Sequence, residues 1–151
     1  MTPALFNPAK DDAALLATLH RSSFSDAWSK EAICELLSGP GVYAWSTPEG
    51  FVLARAAGGE AEILTLAVMP AARGKGEGRA LLRAAAIHAA ALGATSMFLE
   101  VGADNPAALA LYASLGFERV GLRKGYYASP GHGGRDAWVL SAPLPLPAKF
   151  A

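Results

Sequence analysis

The chain has 151 residues, of which 52% are hydrophobic and 17% are charged. This length predicts one domain, residues 1–151, and the apolar fraction excludes an intrinsically disordered chain. The 13 lysines and arginines balance the 13 aspartates and glutamates, so no net positive charge favours direct binding to nucleic acid. Cys34 is the single cysteine, which excludes an internal disulfide and a cysteine-rich zinc site, and we expect it to be a small buried side chain.

The N-terminal segment has no basic stretch and no long apolar run, and no segment of about 18 uncharged apolar residues occurs further on. We therefore expect no membrane association and a cytoplasmic location, and we also expect a monomer. The histidines show no spacing typical of a metal site, so no metal is expected. They are His20, His88 and His132.

Hydrophobic periodicity and turn residues predict that helices and strands alternate along the chain. Asp11 or Asp12, then Ser29, and then Asn105 stand where helix caps are expected. The predicted elements are helices over residues 13–20 and 29–37, strands over 42–45, 51–56 and 62–69, a helix from 78, a strand over 95–101, a helix from 105 to 115, and strands over 117–122 and 136–140. Because a strand, a helix and a strand follow one another after residue 62, those two strands should be parallel neighbours. The proline-rich tail is expected to be extended at the surface.

The segment over residues 62–82 is central, because it joins an apolar strand to a helix through a glycine-rich turn. Pro70 ends the strand, and the glycines stand before the helix begins. A helix N-terminus presents free backbone N–H groups and the positive end of the helix dipole. The basic side chains in and beside the turn are Arg73, Lys75 and Arg79. These features predict a loop that binds a pyrophosphate group.

Spacing distinguishes several kinds of glycine loop. A P-loop requires a lysine followed by Ser or Thr, and neither follows Lys75. A dinucleotide-binding fingerprint requires G-x-G-x-x-G, whereas this loop reads G-x-G-x-G, although Glu100 lies about 20 residues further on, where a ribose-binding acid is expected. That alternative stays open, as does a strand-to-helix turn that binds no ligand.

The pattern Arg73-x-x-Gly76-x-Gly78 resembles the acetyl-coenzyme A loop of the GNAT superfamily of N-acetyltransferases. The order of the predicted elements also resembles the whole GNAT fold, over about residues 5–142. The resemblance implies an α/β fold in which helices flank a mixed, mostly antiparallel sheet with one splayed parallel strand pair. It also implies acetyl-coenzyme A (acetyl-CoA) as the cosubstrate. The loop residues that would bind it are Arg73, Gly74, Lys75, Gly76, Glu77, Gly78 and Arg79.

Within this superfamily, the chain is similar to the bacterial ribosomal-protein-alanine N-acetyltransferases of the RimI type. One matching segment runs Leu99-Glu100-Val101-x-x-x-Asn105-x-x-Ala108-x-x-Leu111-Tyr112-x-x-Leu115-Gly116-Phe117. Further matches are Arg123-x-x-Tyr126-Tyr127, Gly134-Arg135-Asp136-Ala137 and Trp28-Ser29. The chain differs from that group at Gly102 and at Asp26-Ala27, so the shape of the peptide groove stays open.

Formation of an amide from an amine and a thioester requires a base for the amine, a donor to the carbonyl oxygen and an acid for the thiolate. Glu100 is an acid in an apolar strand, where burial disfavours charge and makes a carboxylate a better base near neutral pH. The resemblance implies that Tyr112 protonates the thiolate and that Asn105 belongs to the coenzyme site. It also implies that backbone N–H groups polarise the carbonyl, namely those of Leu66, Ala67 and Val68. The alternatives are a salt-bridged acid for Glu100 and a hydroxyl that binds a backbone carbonyl for Tyr112.

Three functions compete. The resemblance implies acetyl transfer to a protein N-terminal α-amine, with the N-terminal alanine of a small-subunit ribosomal protein as target, by direct attack in a ternary complex. The second hypothesis is acetylation of a small amine or amino-acid metabolite by the same residues. The third is a non-catalytic module that binds coenzyme A or a partner. The presence of both Glu100 and Tyr112 disfavours the third.

Overall fold

The computed structural model describes residues 2–127 and 135–147. The strands are β1 (Ala4–Leu5), β2 (Val42–Thr47), β3 (Gly50–Ala57), β4 (Glu60–Val68), β5 (Ser96–Gly102), β6 (Glu118–Tyr127) and β7 (Arg135–Pro143). The helices are α1 (Ala13–Arg21), α2 (Lys30–Leu37), α3 (Glu77–Ala91) and α4 (Pro106–Ser114), with a 3₁₀ turn over Pro70–Ala72. His132 lies outside the described residues, and so does Gly134, the first residue of the matching segment Gly134-Arg135-Asp136-Ala137. Because the described residues do not include the whole chain, the single domain over residues 1–151 stays a prediction.

The described strands form one sheet with the order β1-β2-β3-β4-β5-β7-β6. Neighbouring strands are antiparallel except β4 and β5, which are parallel and joined through α3. The predicted mixed, mostly antiparallel sheet is therefore confirmed. The sequence pattern did not predict β1, because two residues are too few to show alternation.

Helices cover both faces of this sheet. On one face α3 and α4 pack against a core whose fully buried side chains include Leu81, Leu82, Met97 and Leu115. On the other face α1 and α2 pack on β2, β3 and the second half of β4. The fully buried side chains there include Leu16, Ile33, Phe51 and Leu53.

The separation of β4 from β5 begins at a β-bulge. The register between β3 and β4 shifts by one residue, which makes Leu64 the extra residue of the bulge. A bulge bends its strand and increases the local twist. Parallel pairing between β4 and β5 covers only the residues from Glu60 to Glu62 on β4. Beyond the bulge the two strands part, and the predicted splayed pair is confirmed.

The predicted helix caps are confirmed for three helices. The side chains of Asp12, Ser29 and Asn105 each accept a hydrogen bond from a backbone N–H group in the first turn of α1, α2 and α4. By contrast, α3 begins after Gly76, which has no side chain to cap it. The first N–H groups of α3 therefore have no side-chain cap, and a ligand can bind them.

Two expectations need correction. Cys34 is exposed on α2, because the face of α2 that meets the sheet is centred on the neighbouring residue Ile33. The proline-rich tail is only partly at the surface. Its leucines, Leu144 and Leu146, pack against the core, and apolar side chains between prolines can do so without any ladder hydrogen bond from the prolines.

Candidate active site

A cleft with a volume of about 760 Å³ opens where β4 and β5 separate. Its walls are these two strands, the glycine loop with the start of α3, and one face of α4. The predicted site residues that line it are Leu66, Val68, Arg73, Gly74, Gly76, Glu77, Gly78, Arg79, Glu100, Asn105 and Tyr112. Ala67 and Lys75 are not among its lining residues. The structure thus brings most of the predicted residues together, while their individual roles stay predictions.

The glycine loop has the backbone shape that its sequence predicts. Gly74 and Gly76 adopt left-handed conformations, with φ of 78° and 87°. Glycine takes such angles without steric cost. A Cβ atom built on either glycine would meet no protein atom within 4 Å. The loop therefore leaves open space directly before the positive end of α3, which fits a pyrophosphate group.

Two arginines supply positive charge at this end of the cleft. The guanidinium of Arg73 donates from Nε to the carbonyl oxygen of Val68 at 3.0 Å. The guanidinium of Arg79 donates from Nη2 to the hydroxyl oxygen of Ser114 on α4 at 2.7 Å. These bonds hold both guanidinium groups in place at the cleft. Fixed cations next to a helix N-terminus favour a phosphate ligand.

Glu77 contributes differently from its neighbours in the loop. Its side chain is only 8% exposed, and Oε2 accepts a hydrogen bond from the hydroxyl of Thr47 at 2.8 Å. The carboxylate therefore ties the start of α3 to the end of β2. The backbone N–H of Glu77, in the first turn of α3, is the group that can bind a phosphate oxygen.

The backbone of β4 faces the cleft beyond the bulge. Leu66 and Val68 line the cleft, whereas the side chain of Ala67 is buried in the core against α1 and α2. Within the described residues, this part of β4 has no partner strand on the β5 side. Backbone groups that point to that side are therefore available to polarise a bound carbonyl.

Glu100 lies on β5 at the cleft, and its side chain is 21% exposed. Its Oε1 forms an ion pair with Nη2 of Arg123 on β6 at 2.8 Å. This contact is the salt bridge that the sequence left open as an alternative for Glu100, and the same side chain lines the cleft together with Tyr112.

Tyr112 lies on α4 and is 8% exposed, and it lines the same cleft as Glu100. Its ring packs edge-on against Phe117, with 6.0 Å between ring centroids. Asn105 fixes the start of this helix, because its Oδ1 accepts a hydrogen bond from the N–H of Ala108 at 3.2 Å. The helix cap and the aromatic contact together fix where the tyrosine hydroxyl lies.

Sequence reasoning missed three groups at the cleft. Ser23 and Phe24, between α1 and α2, line it, and so does Ser114, the partner of Arg79. The only signal for Ser23 and Phe24 was that residues 22–28 break the helical period. Ser114 is the last residue of α4, a helix that the sequence predicts. Its hydrogen bond with Arg79 on α3, however, depends on the tertiary fold.

We expect Gly76→Asn to weaken the binding of coenzyme A by roughly 10- to 100-fold, since a charge-assisted hydrogen bond is worth about 1.5–3 kcal/mol. Asparagine tolerates the left-handed backbone, so the loop shape is retained while a side chain enters the open space. Titration calorimetry measures the affinity. The matched control is Gly59→Asn, because Gly59 has a φ of 83° and also has no atom near its Cβ position, but it lies outside the cleft. Equal affinity in both variants would remove the loop from the coenzyme site.

The site thus combines an uncapped helix after a glycine loop with a splayed parallel strand pair. A profile of the acetyltransferase (GNAT) family matches residues 14–117. The chain is 39% identical over 140 residues to the N-alpha-acetyltransferase RimI of Mycobacterium tuberculosis, and the alignment covers 85% of both proteins. The chain therefore belongs to the GNAT family of acetyltransferases.

Other curated relatives match over a smaller part of their length. The [ribosomal protein bS18]-alanine N-acetyltransferase of Escherichia coli K12 is 38% identical over 87 residues, which are 58% of each chain. A Mycobacterium leprae protein is 47% identical over 81 residues, which are 54% of this chain but 21% of that protein. The chain thus spans less than two thirds of the length of these relatives.

Solved structures agree with this family. The crystal structure of the ribosomal-protein-S18-alanine N-acetyltransferase from Escherichia coli has a TM-score of 0.82 and 26% identity, with 95% of this chain and 93% of that chain covered. The Arabidopsis thaliana NAA60 structure in complex with acetyl-CoA has a TM-score of 0.78 and 23% identity, with coverages of 94% and 97%, and shows likeness of fold.

The described part of the chain gives no support for a metal centre or a membrane span. No group of three or more His, Cys, Asp and Glu side chains in residues 2–127 and 135–147 could hold a metal ion. In the same residues, no helix has the length and apolar character needed to cross a membrane.

Proposed function

We propose that the protein transfers acetyl from acetyl-CoA to the α-amine of a protein N-terminus, and that the acceptor is the N-terminal alanine of a small-subunit ribosomal protein. The proposal depends on one observation: Glu100 and Tyr112 line the same cleft as the glycine loop. A base, an acid and an anion-binding helix N-terminus therefore share one opening.

Several features support acetyl-CoA as the cosubstrate. The open space before α3 and the two arginines at the cleft suit a pyrophosphate group. The cleft continues from this loop between β4 and α4, which gives an extended arm a path towards Glu100. A structural relative, the Arabidopsis protein, is described in complex with acetyl-CoA.

The residues at the cleft supply each step of a direct transfer. Glu100 takes one proton from the protonated acceptor amine, directly or through a water, and the nitrogen lone pair then bonds to the thioester carbonyl carbon. Backbone N–H groups of β4 stabilise the charge that develops on the carbonyl oxygen. The carbon–sulfur bond breaks, its electron pair leaves with the sulfur, and Tyr112 gives that sulfur a proton. The nitrogen releases its second surplus proton to solvent, and Glu100 and Tyr112 return to their starting forms by proton exchange with solvent. The products are an amide and a free thiol, and no covalent bond to the enzyme is needed.

The choice of an α-amine rests on its acidity and on the relatives. A free α-amino group titrates near 7.7–8.0, whereas the lysine side chain titrates near 10.4, so roughly half of the α-amines are already neutral at that pH. An acceptor amine that is already partly neutral demands little of its base, so a carboxylate suits an α-amine better than a lysine side chain. By their names, the Mycobacterium tuberculosis relative is an N-alpha-acetyltransferase and the Escherichia coli relative is a [ribosomal protein bS18]-alanine N-acetyltransferase. A ribosomal acceptor would place the reaction in the cytoplasm.

We expect the enzyme to acetylate an alanine-started ribosomal peptide with a higher kcat/KM than any competing amine. The competitors are a lysine-containing peptide blocked at its N-terminus, free alanine and a panel of small amines. The measurement is kcat/KM for each acceptor, with acetyl incorporation read by mass. A higher value for a small amine would contradict the peptide acceptor and would support metabolite acetylation by the same residues.

A further inference from the structure

Ser23 connects the two sides of the cleft. It lies between α1 and α2, in residues 22–29, and it lines the cleft together with Phe24. Its hydroxyl donates to the carbonyl oxygen of Val68 at 3.2 Å, and its oxygen accepts from Nη2 of Arg73 at 3.0 Å. One hydroxyl therefore joins this segment to the end of β4 and to the first residue of the glycine loop.

Arg73 is held where it can contact both Ser23 and a phosphate bound at the glycine loop. Its Nε donates to the carbonyl oxygen of Val68 at 3.0 Å, and its Nη2 donates to Ser23. These bonds use two of the five N–H donors of a guanidinium. The same residue lines the cleft at the glycine loop. A phosphate on the loop can therefore bind other donors of this guanidinium without displacing Ser23.

A second anchor holds the same segment to the core. His20 is 3% exposed, and its Nδ1 accepts the backbone N–H of Trp28 at 3.1 Å. Its ring stacks against Phe24 and Trp28, with centroid distances of 4.5 and 4.7 Å. Burial lowers the pKa of His20, so the ring is neutral at neutral pH and Nδ1 remains an acceptor. His20 thus ties one part of the segment to α1, and Ser23 ties it to the coenzyme side of the cleft.

We propose that Ser23 is a positioning residue that couples the two substrates: coenzyme binding at the glycine loop orders residues 22–29 and with them the acceptor side of the cleft. For the acceptor, this inference rests on the proposed function. A ligand that binds the remaining donors of Arg73 restrains this exposed side chain further and removes part of the entropy cost of keeping its bond to Ser23, so each substrate favours the other. By thermodynamic linkage, the bound acceptor must raise the affinity for coenzyme A by the same factor as bound coenzyme A raises the affinity for the acceptor.

The coupling should be modest because the bond between Arg73 and Ser23 is solvent-exposed. Exposure weakens charge-assisted contacts. We therefore expect bound coenzyme A to raise the affinity for the acceptor by roughly fivefold, the low end of the usual range for coupled sites. Phe24, which is 39% exposed at the cleft, is the side chain that this ordering would present to the acceptor.

Ser23→Ala tests the coupling, with Ser22→Ala as the matched control and Ser23→Thr as the variant that keeps the hydroxyl. The hydroxyl of Ser22 donates to the carbonyl oxygen of Leu19 at 2.6 Å, so its bond stays at the end of α1. Hydrogen exchange of residues 22–29 is measured with and without coenzyme A. Coenzyme A should slow exchange in the wild type, in Ser22→Ala and in Ser23→Thr, but should give little protection in Ser23→Ala.

Steady-state kinetics supply the second measurement. Ser23→Ala should raise KM for the acceptor peptide by roughly fivefold, while kcat at saturation changes by less than about twofold. Protection in Ser23→Ala equal to that of the wild type would overturn the coupling. Failure of the wild type to bind coenzyme A in calorimetry would overturn both this inference and the proposed function. Protection by coenzyme A without acetylation of any peptide would contradict only the acceptor class.

Discussion

Glu100→Gln is expected to lower kcat by roughly 10²–10⁴-fold at neutral pH, which is the usual contribution of a general base. Glutamine keeps the size of the side chain and can still hydrogen-bond, but it cannot take a proton from the acceptor amine. The fold and the affinity for coenzyme A should stay close to those of the wild type. The measurements are steady-state kinetics with an alanine-started peptide and titration calorimetry with coenzyme A.

Glu62→Gln is the matched control for this substitution. Glu62 lies on β4 and forms an ion pair with Arg55 at 2.7 Å, as Glu100 does with Arg123 at 2.8 Å. Glu62 lies outside the cleft. Both variants lose one strand-to-strand ion pair, and exposed pairs contribute about 0–1 kcal/mol to stability. If both variants had equal kcat, the role of Glu100 would be structural.

The pH dependence of Glu100→Gln separates a base from a group that only orients the amine. An α-amine loses its own proton as the pH rises through roughly 7.7–8.0. The defect in kcat/KM should therefore shrink as the pH rises from about 6.5 to 9, because more of the acceptor is already neutral. A defect of constant size over this range would show that Glu100 positions the acceptor instead of deprotonating it.

The glycine loop and the fold class could be predicted because the forces that set them are local. The loop depends on residues that lie next to one another in the sequence: glycines that adopt left-handed conformations, a helix start without a side-chain cap, and a proline that ends the strand. The parallel pairing of β4 and β5 follows from the handedness of a strand-helix-strand crossover. The GNAT resemblance added the expectation that the two strands splay, and the bulge at Leu64 supplies the physical cause.

The contacts that complete the site could not be predicted because they join distant parts of the chain. Arg73 and Ser23 are 50 residues apart, and Thr47 and Glu77 are 30 apart. Glu100 meets Arg123 across β7, which lies between β5 and β6 in the sheet. Strand order and register decide such pairs, and a shift of one residue would turn these side chains to the other face. The apolar residues next to Glu100 in the sequence indicate that its side chain is partly buried, but they do not indicate that Arg123 is its partner.

Tyr112→Phe is expected to slow the chemical step by roughly 10²–10⁴-fold, the usual contribution of a general acid, with little change in the affinity for coenzyme A. The phenyl ring keeps the edge-on contact with Phe117, so only the proton donor is lost. Rapid-mixing measurement of a single turnover reports this step apart from product release. Calorimetry with coenzyme A reports binding.

Tyr43→Phe is the matched control, because it removes a buried tyrosine hydroxyl that lies away from the cleft. The hydroxyl of Tyr43 donates to the carbonyl oxygen of Ala85 at 2.6 Å and ties β2 to α3. Its loss leaves a buried carbonyl without that donor, which should cost about 1–3 kcal/mol in the free energy of unfolding and leave the single-turnover rate unchanged. If Tyr112→Phe instead lost stability without slowing the turnover, its hydroxyl would be a structural donor like that of Tyr43, and the thiolate would take its proton from water. A loss of coenzyme affinity equal to the loss of rate would assign the hydroxyl to positioning the thioester.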